Sequence, residues 1–237
     1  MRFITPSSPK AINCNPPYLS SATVVLLSAA VKEIKVNYEK GALELARQLF
    51  GRQPADDDLA RLAGALDGVT VNVSVKKKKG WLYLTVNDAR FERYETSVRK
   101  DADGSLFAYI HHAYAAAGQS GQGHGVRAFL RQVNAARWLG LKRFELFAAG
   151  HPRSTNENGY YVWARYGFNA LLREEEQAIL PPLLQGATTI NQIIRRGGQK
   201  WWKRSGDARS MNFDLADDSE MMSVFRDYLA EKAITEE

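Results

Sequence analysis

Apolar and polar residues alternate with a period of two over much of the first half of this chain. The stretch VTVNVSV, residues 69–75, alternates strictly, and residues 81–100 are rich in the β-branched and aromatic side chains that strands favour. Asp103-Gly104 is a turn signal that leads into SLFAYIHHAYA, residues 105–115. These segments predict an antiparallel meander. Two further strands are predicted at residues 32–39 and 142–149.

Elsewhere the apolar residues recur at the three- and four-residue spacing of one helix face. Asp56 to Asp58 suit a helix start, because carboxylates there accept free amides and oppose the helix dipole. Ser219 is the expected cap of the last helix, and residues 173–218 carry too many proline and glycine breaks for an assignment. Five helices are predicted, at residues 42–50, 56–66, 126–139, 159–168 and 219–232.

Composition places the chain among globular proteins. Its 237 residues are 45% hydrophobic and 24% charged, which suits one large domain or two small ones. The longest apolar run, residues 22–31, is shorter than a membrane span and too far from Met1 to resemble an ordinary signal peptide. We therefore expect a cytoplasmic protein with no membrane partner. The single cysteine, Cys14, excludes an intrachain disulfide and a cysteine-rich zinc site.

The balance of charge favours anionic partners. The net charge is +6 and the pI is near 9.4, which suits nucleic acid and phosphorylated cofactors alike. The run Lys76–Lys79 separates two predicted strands, so a solvated turn and a nucleic-acid contact both fit it. In RRGGQKWWKR, residues 195–204, Trp201 and Trp202 fit either base stacking or packing of the C-terminal segment on the core.

Three glycines crowd the hexapeptide SGQGHG, residues 120–125, between a predicted strand and a predicted helix. A helix start offers unpaired amides and a partial positive charge, so this setting suits an anion. The P-loop pattern fails because no Lys-Ser or Lys-Thr pair follows the glycines. The looser dinucleotide fingerprint fits Gly123-x-Gly125-x-x-Ala128. This fingerprint also needs an acidic residue further along the chain, and the candidate, Glu145, lies in the middle of a predicted strand. The hairpins predicted before the loop do not suit a doubly wound sheet either.

A third phosphate-binding pattern fits the glycine loop better than the P-loop and the dinucleotide fingerprint. The hexapeptide from Ser120 to Gly125, followed by an apolar helix, resembles the pyrophosphate loop of the GNAT superfamily of N-acetyltransferases, Gln/Arg-x-x-Gly-x-Gly/Ala, and differs only at its first position. A second motif agrees: NENGYYVWARYGF, residues 156–168, resembles the superfamily helix Asn-x-x-Ala-x-x-x-Tyr-x-x-x-Gly-Phe. The order and separation of the two motifs, after two helices and a meander, extend the resemblance over residues 41–172.

The resemblance implies a fold and a domain organisation. It implies an α+β protein, an α/β/α sandwich, whose mixed and mostly antiparallel sheet has helices on both faces. We expect a partly irregular N-terminal extension over residues 1–40, a GNAT-like domain over 41–178, and a C-terminal extension over 179–237 that packs on the core.

The resemblance also implies acetyl-CoA as co-substrate, in a cleft where two strands splay apart. The loop amides would hold its pyrophosphate, the strand before the loop would pair with its pantetheine arm, and an asparagine would orient the cofactor or the helix. No metal is expected. The residues so implied are Ala113, Tyr114, Ala115, Ser120, Gly121, Gln122, Gly123, His124, Gly125 and Asn156.

Acyl transfer to an amine needs a base for the amine proton and often an acid near the departing thiolate. The superfamily's acid is commonly a tyrosine where Trp163 stands here, and an indole has no titratable proton. Tyr160, three residues earlier on the same helix face, is the candidate acid. His112 is the candidate base; His111 beside it is predicted to point to the opposite face of the strand, which disqualifies the two as a chelating pair. A structural role is the competing interpretation of each. Ser120, in turn, removes a long polar side chain from the loop.

These features predict an N-acyltransferase that moves an acetyl group from acetyl-CoA to an amine. The alternative is a GNAT-like module without catalysis that binds CoA, a protein or a nucleic acid. A third variant acetylates an RNA-bound or protein-bound amine, as some toxin members of the superfamily do. The sequence does not specify the acceptor, small molecule or macromolecule, and it leaves formation of a homodimer open.

Overall fold

The computed structural model of this chain describes residues 34–76, 79–155 and 157–235. The apolar run at 22–31, Cys14 and Asn156 lie outside these ranges. Within them the strands are β1 (Lys35–Tyr38), β2 (Thr70–Lys76), β3 (Trp81–Asn87), β4 (Phe91–Lys100), β5 (Leu106–Ala115), β6 (Arg143–Ala148) and β7 (Arg209–Asp214). The α-helices are α1 (Ala42–Phe50), α2 (Asp56–Ala63), α3 (His124–Trp138), α4 (Gly159–Arg165), α5 (Glu174–Ala178), α6 (Ile190–Arg195), α7 (Gln199–Ser205) and α8 (Glu220–Glu231).

The strands form one mixed sheet in which neighbours along the chain are also neighbours in space, from β1 to β7. The pairs β1–β2 and β5–β6 are parallel, and the other four are antiparallel. Parallel neighbours need a crossover connection, which α1 and α2 supply for the first pair and α3 for the second. The chain is therefore an α+β protein with a mostly antiparallel sheet. The meander predicted from the alternating segments is confirmed as β2 to β5.

Local signals set the ends of several elements. The backbone amide of Met222 donates to Ser219 Oγ at 3.1 Å, which confirms the predicted cap of α8. Asp58 accepts the amide of Ala55 at 3.2 Å, so the acidic run does start α2. Gly140, with a φ of 79°, follows the end of α3 in the left-handed conformation that suits glycine.

The first helices pack on the apolar face of the sheet. Gln132 of α3 donates to the carbonyl of Leu62 in α2 and to the hydroxyl of Thr96 in β4, each at 2.9 Å. On the opposite face of β1 and β2, the exposed residues Asn37 and Asn72 hydrogen-bond to each other at 3.1 Å. Because α1 contacts β2 and β3 and buries its alanines in the core, it lies on the same face as α2.

The later helices join the same layer. Phe129 of α3 contacts the rings of Trp163 in α4 and Phe225 in α8, at 5.7 and 5.0 Å between centroids. The helices α6 and α7 pack on α4, and α5 is held by the buried ion pair of Glu176 with Arg209 of β7. None of the helices in the described ranges is long and apolar enough to cross a membrane.

The prediction of helices on both faces is therefore wrong for the described residues, whose helices form a single layer. The physical reason lies in the strands. In β2, buried Val71 and Val73 alternate with Asn72 and Ser74, and strands that alternate in this way bury only one face. The second face of the sheet, which we call the open face, carries the polar and charged residues of this alternation.

The C-terminal segment completes the sheet and the core. The strand β7, RSMNFD, was not predicted from the sequence, although its buried and exposed residues alternate strictly. Trp202 of α7 is fully buried and donates its indole N–H to the carbonyl of Tyr160 at 3.0 Å. Core packing, one of the two interpretations of this tryptophan, is thereby confirmed.

Candidate functional site

The strands β5 and β6 separate halfway along their length. They pair only between Phe107–Ile110 and Arg143–Leu146, whereas β5 continues to Ala115 against β4. Beyond Ile110 and Leu146 a cavity of about 1050 Å³ opens between them. Within the described ranges, the backbone of β5 in this half has a strand partner on one side only.

The glycine loop borders this cavity and leads directly into α3. Gly121 and Gly123 have φ values of 80° and 79°, the left-handed conformation that glycine adopts without strain. Among the residues that the structure describes, none accepts a hydrogen bond from the backbone amides of residues 120–126. A side chain built on Gly121 would meet no atom within 4 Å. The loop thus offers free donors, space, and the positive end of a helix dipole.

The structure brings the predicted site residues to one cavity. The strand β5, the glycine loop and α4 supply them from three separate parts of the chain. Asn156 lies outside the described residues, so its predicted role stays a prediction. The predicted residues that line the cavity are His112, Ala113, Tyr114, Ala115, Ser120, Gly121, Gln122, Gly123, His124, Gly125 and Tyr160.

Arg127 is a cation at the loop that the sequence analysis missed. Its Nη1 donates to the carbonyl of Gln122 at 3.4 Å, and it lies 2.9 Å from where a Cβ on Gly123 would be. The guanidinium therefore folds back from the first turn of α3 onto the loop. It supplies positive charge to a loop in which Ser120 stands where the GNAT pattern has glutamine or arginine. The only sequence signal was a basic residue just after the glycines.

A second wall of the cavity comes from the C-terminal half of the chain. The hydroxyl of Tyr166 lies 3.5 Å from where a Cβ on Gly125 would be, and its ring centroid is 5.1 Å from that of Tyr228 in α8. Burial raises the pKa of Tyr166, and the nearby Tyr228 raises it further. Lys203 and Lys232 also line the cavity. Tyr166 stands at an unspecified position of the second motif, and no local pattern marked the other three residues, because only folding brings them to the loop.

Tyr160 reaches the cavity but its hydroxyl is already engaged. It donates to the carbonyl of Lys203 at 2.6 Å, and burial raises the pKa of Tyr160, with the nearby Tyr161 adding to the effect. Trp163, at the position of the superfamily tyrosine, packs edge-on against Phe129 and Phe168. Both side chains anchor α4 to the core.

A β-bulge changes how the two histidines are placed. Glu95 pairs with His112 and Thr96 with Ile110, so His111 is an extra residue in β5. His111 Nε2 lies 3.0 Å from Ser97 Oγ, and Ser97 points to the same face of β4 as Glu95. Both imidazoles therefore lie on the open face. The prediction that they point to opposite faces is wrong, because the bulge interrupts the alternation on which it depended.

The environment keeps both imidazoles neutral at pH 7. Burial, together with a smaller effect of the nearby charge of Arg99, lowers the pKa of His111 to about 4. Burial also lowers the pKa of His112, as does Arg93, whereas Glu95 raises it. Nδ1 of His112 is buried and has no hydrogen-bond partner among the described residues. His112 therefore lines the cavity with its Nδ1 buried in the protein.

No group of three metal-binding side chains occurs among the described residues. No profile of a known protein family matches this chain, and no curated protein is significantly similar to it. Membership of the GNAT superfamily therefore stays a prediction.

Proposed function

We propose that this protein is an N-acyltransferase that uses acetyl-CoA as acyl donor. The observation that carries the proposal is the opening of β5 from β6 directly beside a glycine loop whose amides donate to none of the described residues. A pyrophosphate needs several N–H donors and room for close approach of the backbone. The loop at residues 120–126 fits both needs, and Arg127 adds a cation.

Each part of the cavity has a separate task in this proposal. The loop amides and Arg127 hold the pyrophosphate, and the unpaired edge of β5 at Ala113–Ala115 offers backbone groups to the pantetheine arm. Tyr166 and Tyr228 form the wall next to the helix start. When bound, acetyl-CoA supplies an acyl group activated as a thioester.

His112 is the base in this proposal. Burial disfavours the imidazolium form, so the neutral ring that lines the cavity keeps a lone pair that can accept the proton of an attacking amine. Glu95, directly opposite His112 in the β4–β5 pair, favours the imidazolium once it forms. The acceptor class, small molecule or macromolecule, is left open by these residues.

A second function is a module that binds CoA without transferring its acyl group. It is favoured by the side chains at the expected position of the acid. The Tyr160 hydroxyl donates to a backbone carbonyl, and Trp163 has no proton to give to a thiolate. In this case the loop and the cavity serve recognition alone.

The deciding experiment is calorimetric titration of acetyl-CoA into the wild type and two variants of Gly121. Gly121→Asp places a carboxylate in the loop, and Gly121→Asn is its neutral control, since both residues tolerate the left-handed conformation. We expect a wild-type Kd on the order of micromolar. Asp should weaken binding by roughly 100-fold, equivalent to about 2.7 kcal/mol, and Asn by much less.

A folded wild type that does not bind acetyl-CoA would refute both functions. If acetyl-CoA binds, release of free thiol is measured with small amines, peptides and RNA as acceptors. Thiol release that His112→Gln lowers through kcat, with KM for acetyl-CoA unchanged, supports the acyltransferase. Binding with no thiol release on any acceptor supports the CoA-binding module.

A further inference from the structure

Rings and cations alternate on the open face across β3, β4 and β5. Trp81 comes from β3, Arg99 from β4 and Tyr109 from β5, and the turn between β2 and β3 adds lysines. The set spans about 10 Å from β3 to β5 at the usual strand spacing. We call it the ring–cation surface and define it as Lys76, Lys79, Trp81, Tyr83, Arg99, Tyr109 and His111.

The side chains of this surface are stacked on one another. The guanidinium carbon of Arg99 lies 3.7 Å from the ring centroid of Trp81 and 4.3 Å from that of Tyr109. Lys79 Nζ lies 4.3 Å from the Trp81 centroid, and Lys76 Nζ lies 4.6 Å from that of Tyr83. Contacts of this kind hold the cations at fixed positions over the sheet.

The cations of this surface form no close ion pair within the described part of the chain, although the more distant carboxylate of Glu145 acts on Arg99. Lys76, Lys79 and Arg99 form no ion pair with a carboxylate of the described residues, whereas Arg143 on the same face pairs with Asp101 and Glu145, each at 2.7 Å. Glu33 is the first acidic residue of the chain, so the preceding sequence adds no negative charge. The surface therefore combines an excess of positive charge with aromatic rings.

We infer that the ring–cation surface binds single-stranded nucleic acid. Ordered cations suit a phosphate backbone, and aromatic rings and guanidinium planes suit bases that are free to stack. A duplex hides the faces of its bases, and an acidic peptide would leave the rings unused. The inference does not depend on the proposed acyl transfer, because the loop amides lie in the cavity and take no part in this surface.

The test is fluorescence anisotropy with a labelled oligouridylate of about 12 nucleotides, within the site sizes typical of single-strand binders. Lys76→Gln with Lys79→Gln removes two exposed cations of the surface. Lys200→Gln with Arg204→Gln is the matched control, since both residues are exposed on α7 in the helical layer. Trp81→Leu removes a ring and keeps every charge. Thermal unfolding of each variant verifies the fold.

We expect Lys76→Gln/Lys79→Gln to weaken binding about tenfold at low salt, with the control unchanged. The slope of log K against log salt should become shallower by about 1.4, because each lost phosphate contact removes about 0.7 for a single strand. Trp81→Leu should weaken binding about tenfold with little change in this slope. Unlabelled oligonucleotide should compete far better than polyglutamate of equal charge.

Three results would overturn the inference. The first is no binding of the oligonucleotide at low salt by the folded wild type. The second is an equal loss in the surface variant and in the Lys200→Gln/Arg204→Gln control, which would indicate diffuse attraction to a basic protein. The third is equal competition by polyglutamate together with an unaffected Trp81→Leu variant, which would assign the surface to acidic protein partners.

Discussion

The two faces of the sheet use aromatic side chains in different ways. On the helix-covered face, the fully buried Phe129 contacts the rings of Phe144, Phe213 and Phe225 at 5.0–5.4 Å between centroids. On the open face, rings contact cations, as Trp81 contacts Arg99. The same residue class thus makes a core on one side and a charged surface on the other.

The difference indicates where stability and recognition reside. Rings packed on rings remove apolar area from water, and this burial is the largest favourable contribution to folding. Rings packed on half-exposed cations gain little, because the cations keep much of their hydration. Substitutions should therefore reduce stability strongly on the covered face and weakly on the open face.

Phe129→Ala should have the largest effect. Removing a ring that packs against six other aromatic residues leaves a cavity in the core, and we expect a loss of about 3–5 kcal/mol in the free energy of unfolding. Phe147→Ala is the matched control, since Phe147 is 57% exposed on the open face and should change stability by about 0.5 kcal/mol or less. Urea denaturation measures both. Similar losses would contradict the contrast between the faces.

Gln132→Met should have the second-largest effect on stability. The hydroxyl of the buried Tyr94 donates to Gln132 Oε1 at 2.8 Å, so methionine would leave this hydroxyl and the carbonyl of Leu62 without a partner. We expect a loss of about 2–3 kcal/mol. Adding Tyr94→Phe should recover part of it, because one unpaired group is removed. Gln48→Met, on the exposed side of α1, is the control and should be nearly neutral.

The third-largest effect on stability should be that of pH. The pKa of His111 is about 4 in the folded chain and near its ordinary value of about 6.5 when unfolded, so protons bind preferentially to the unfolded state. Stability should be fully present above pH 6.5 and fall as the pH drops towards 4. Solvent screening of this half-exposed group limits the loss to the order of 1 kcal/mol. His112, whose pKa is also lowered, adds in the same direction.

Thermal unfolding between these pH values, in wild type and in His111→Gln, measures the effect. The variant should show a flatter profile. An independent check is the pKa of His111 by NMR in Arg99→Met, which should rise because the charge of Arg99 helps to lower it. An unchanged pKa would show that burial alone is responsible.

Trp81→Leu should have the smallest effect on stability. The ring is half-buried and mainly contacts Arg99 and Lys79, so we expect a loss of about 0.5–1 kcal/mol by urea denaturation. A loss as large as that of Phe129→Ala would mean that the open face carries part of the core.

The parts of the candidate site that are formed by contiguous residues could be predicted from the sequence. The glycine spacing of residues 120–125 identified the loop, and the alternation of residues 105–115 identified the strand before it. Arg127 and the tyrosines Tyr166 and Tyr228 were missed. The two tyrosines reach the loop only through the packing of α8 and of the segment that ends α4. Arg127 follows the glycines directly, but a single basic residue there belongs to no motif.

The sequence by itself determined the elements before residue 173, the meander and the last helix with its cap, because periodicity, caps and turn residues act over a few neighbours. The short helices α5 to α7 and the strand β7 were not predicted. The alternation of β2 already indicated that only one face of the sheet is buried, whereas the expected sandwich predicted helices on both faces. Only the tertiary structure decided that β5 and β6 part at Ile110, that both histidines lie on the open face, and that the C-terminal segment forms a wall of the cavity. These features depend on strand register and on contacts between distant segments, which a local pattern of residues does not encode.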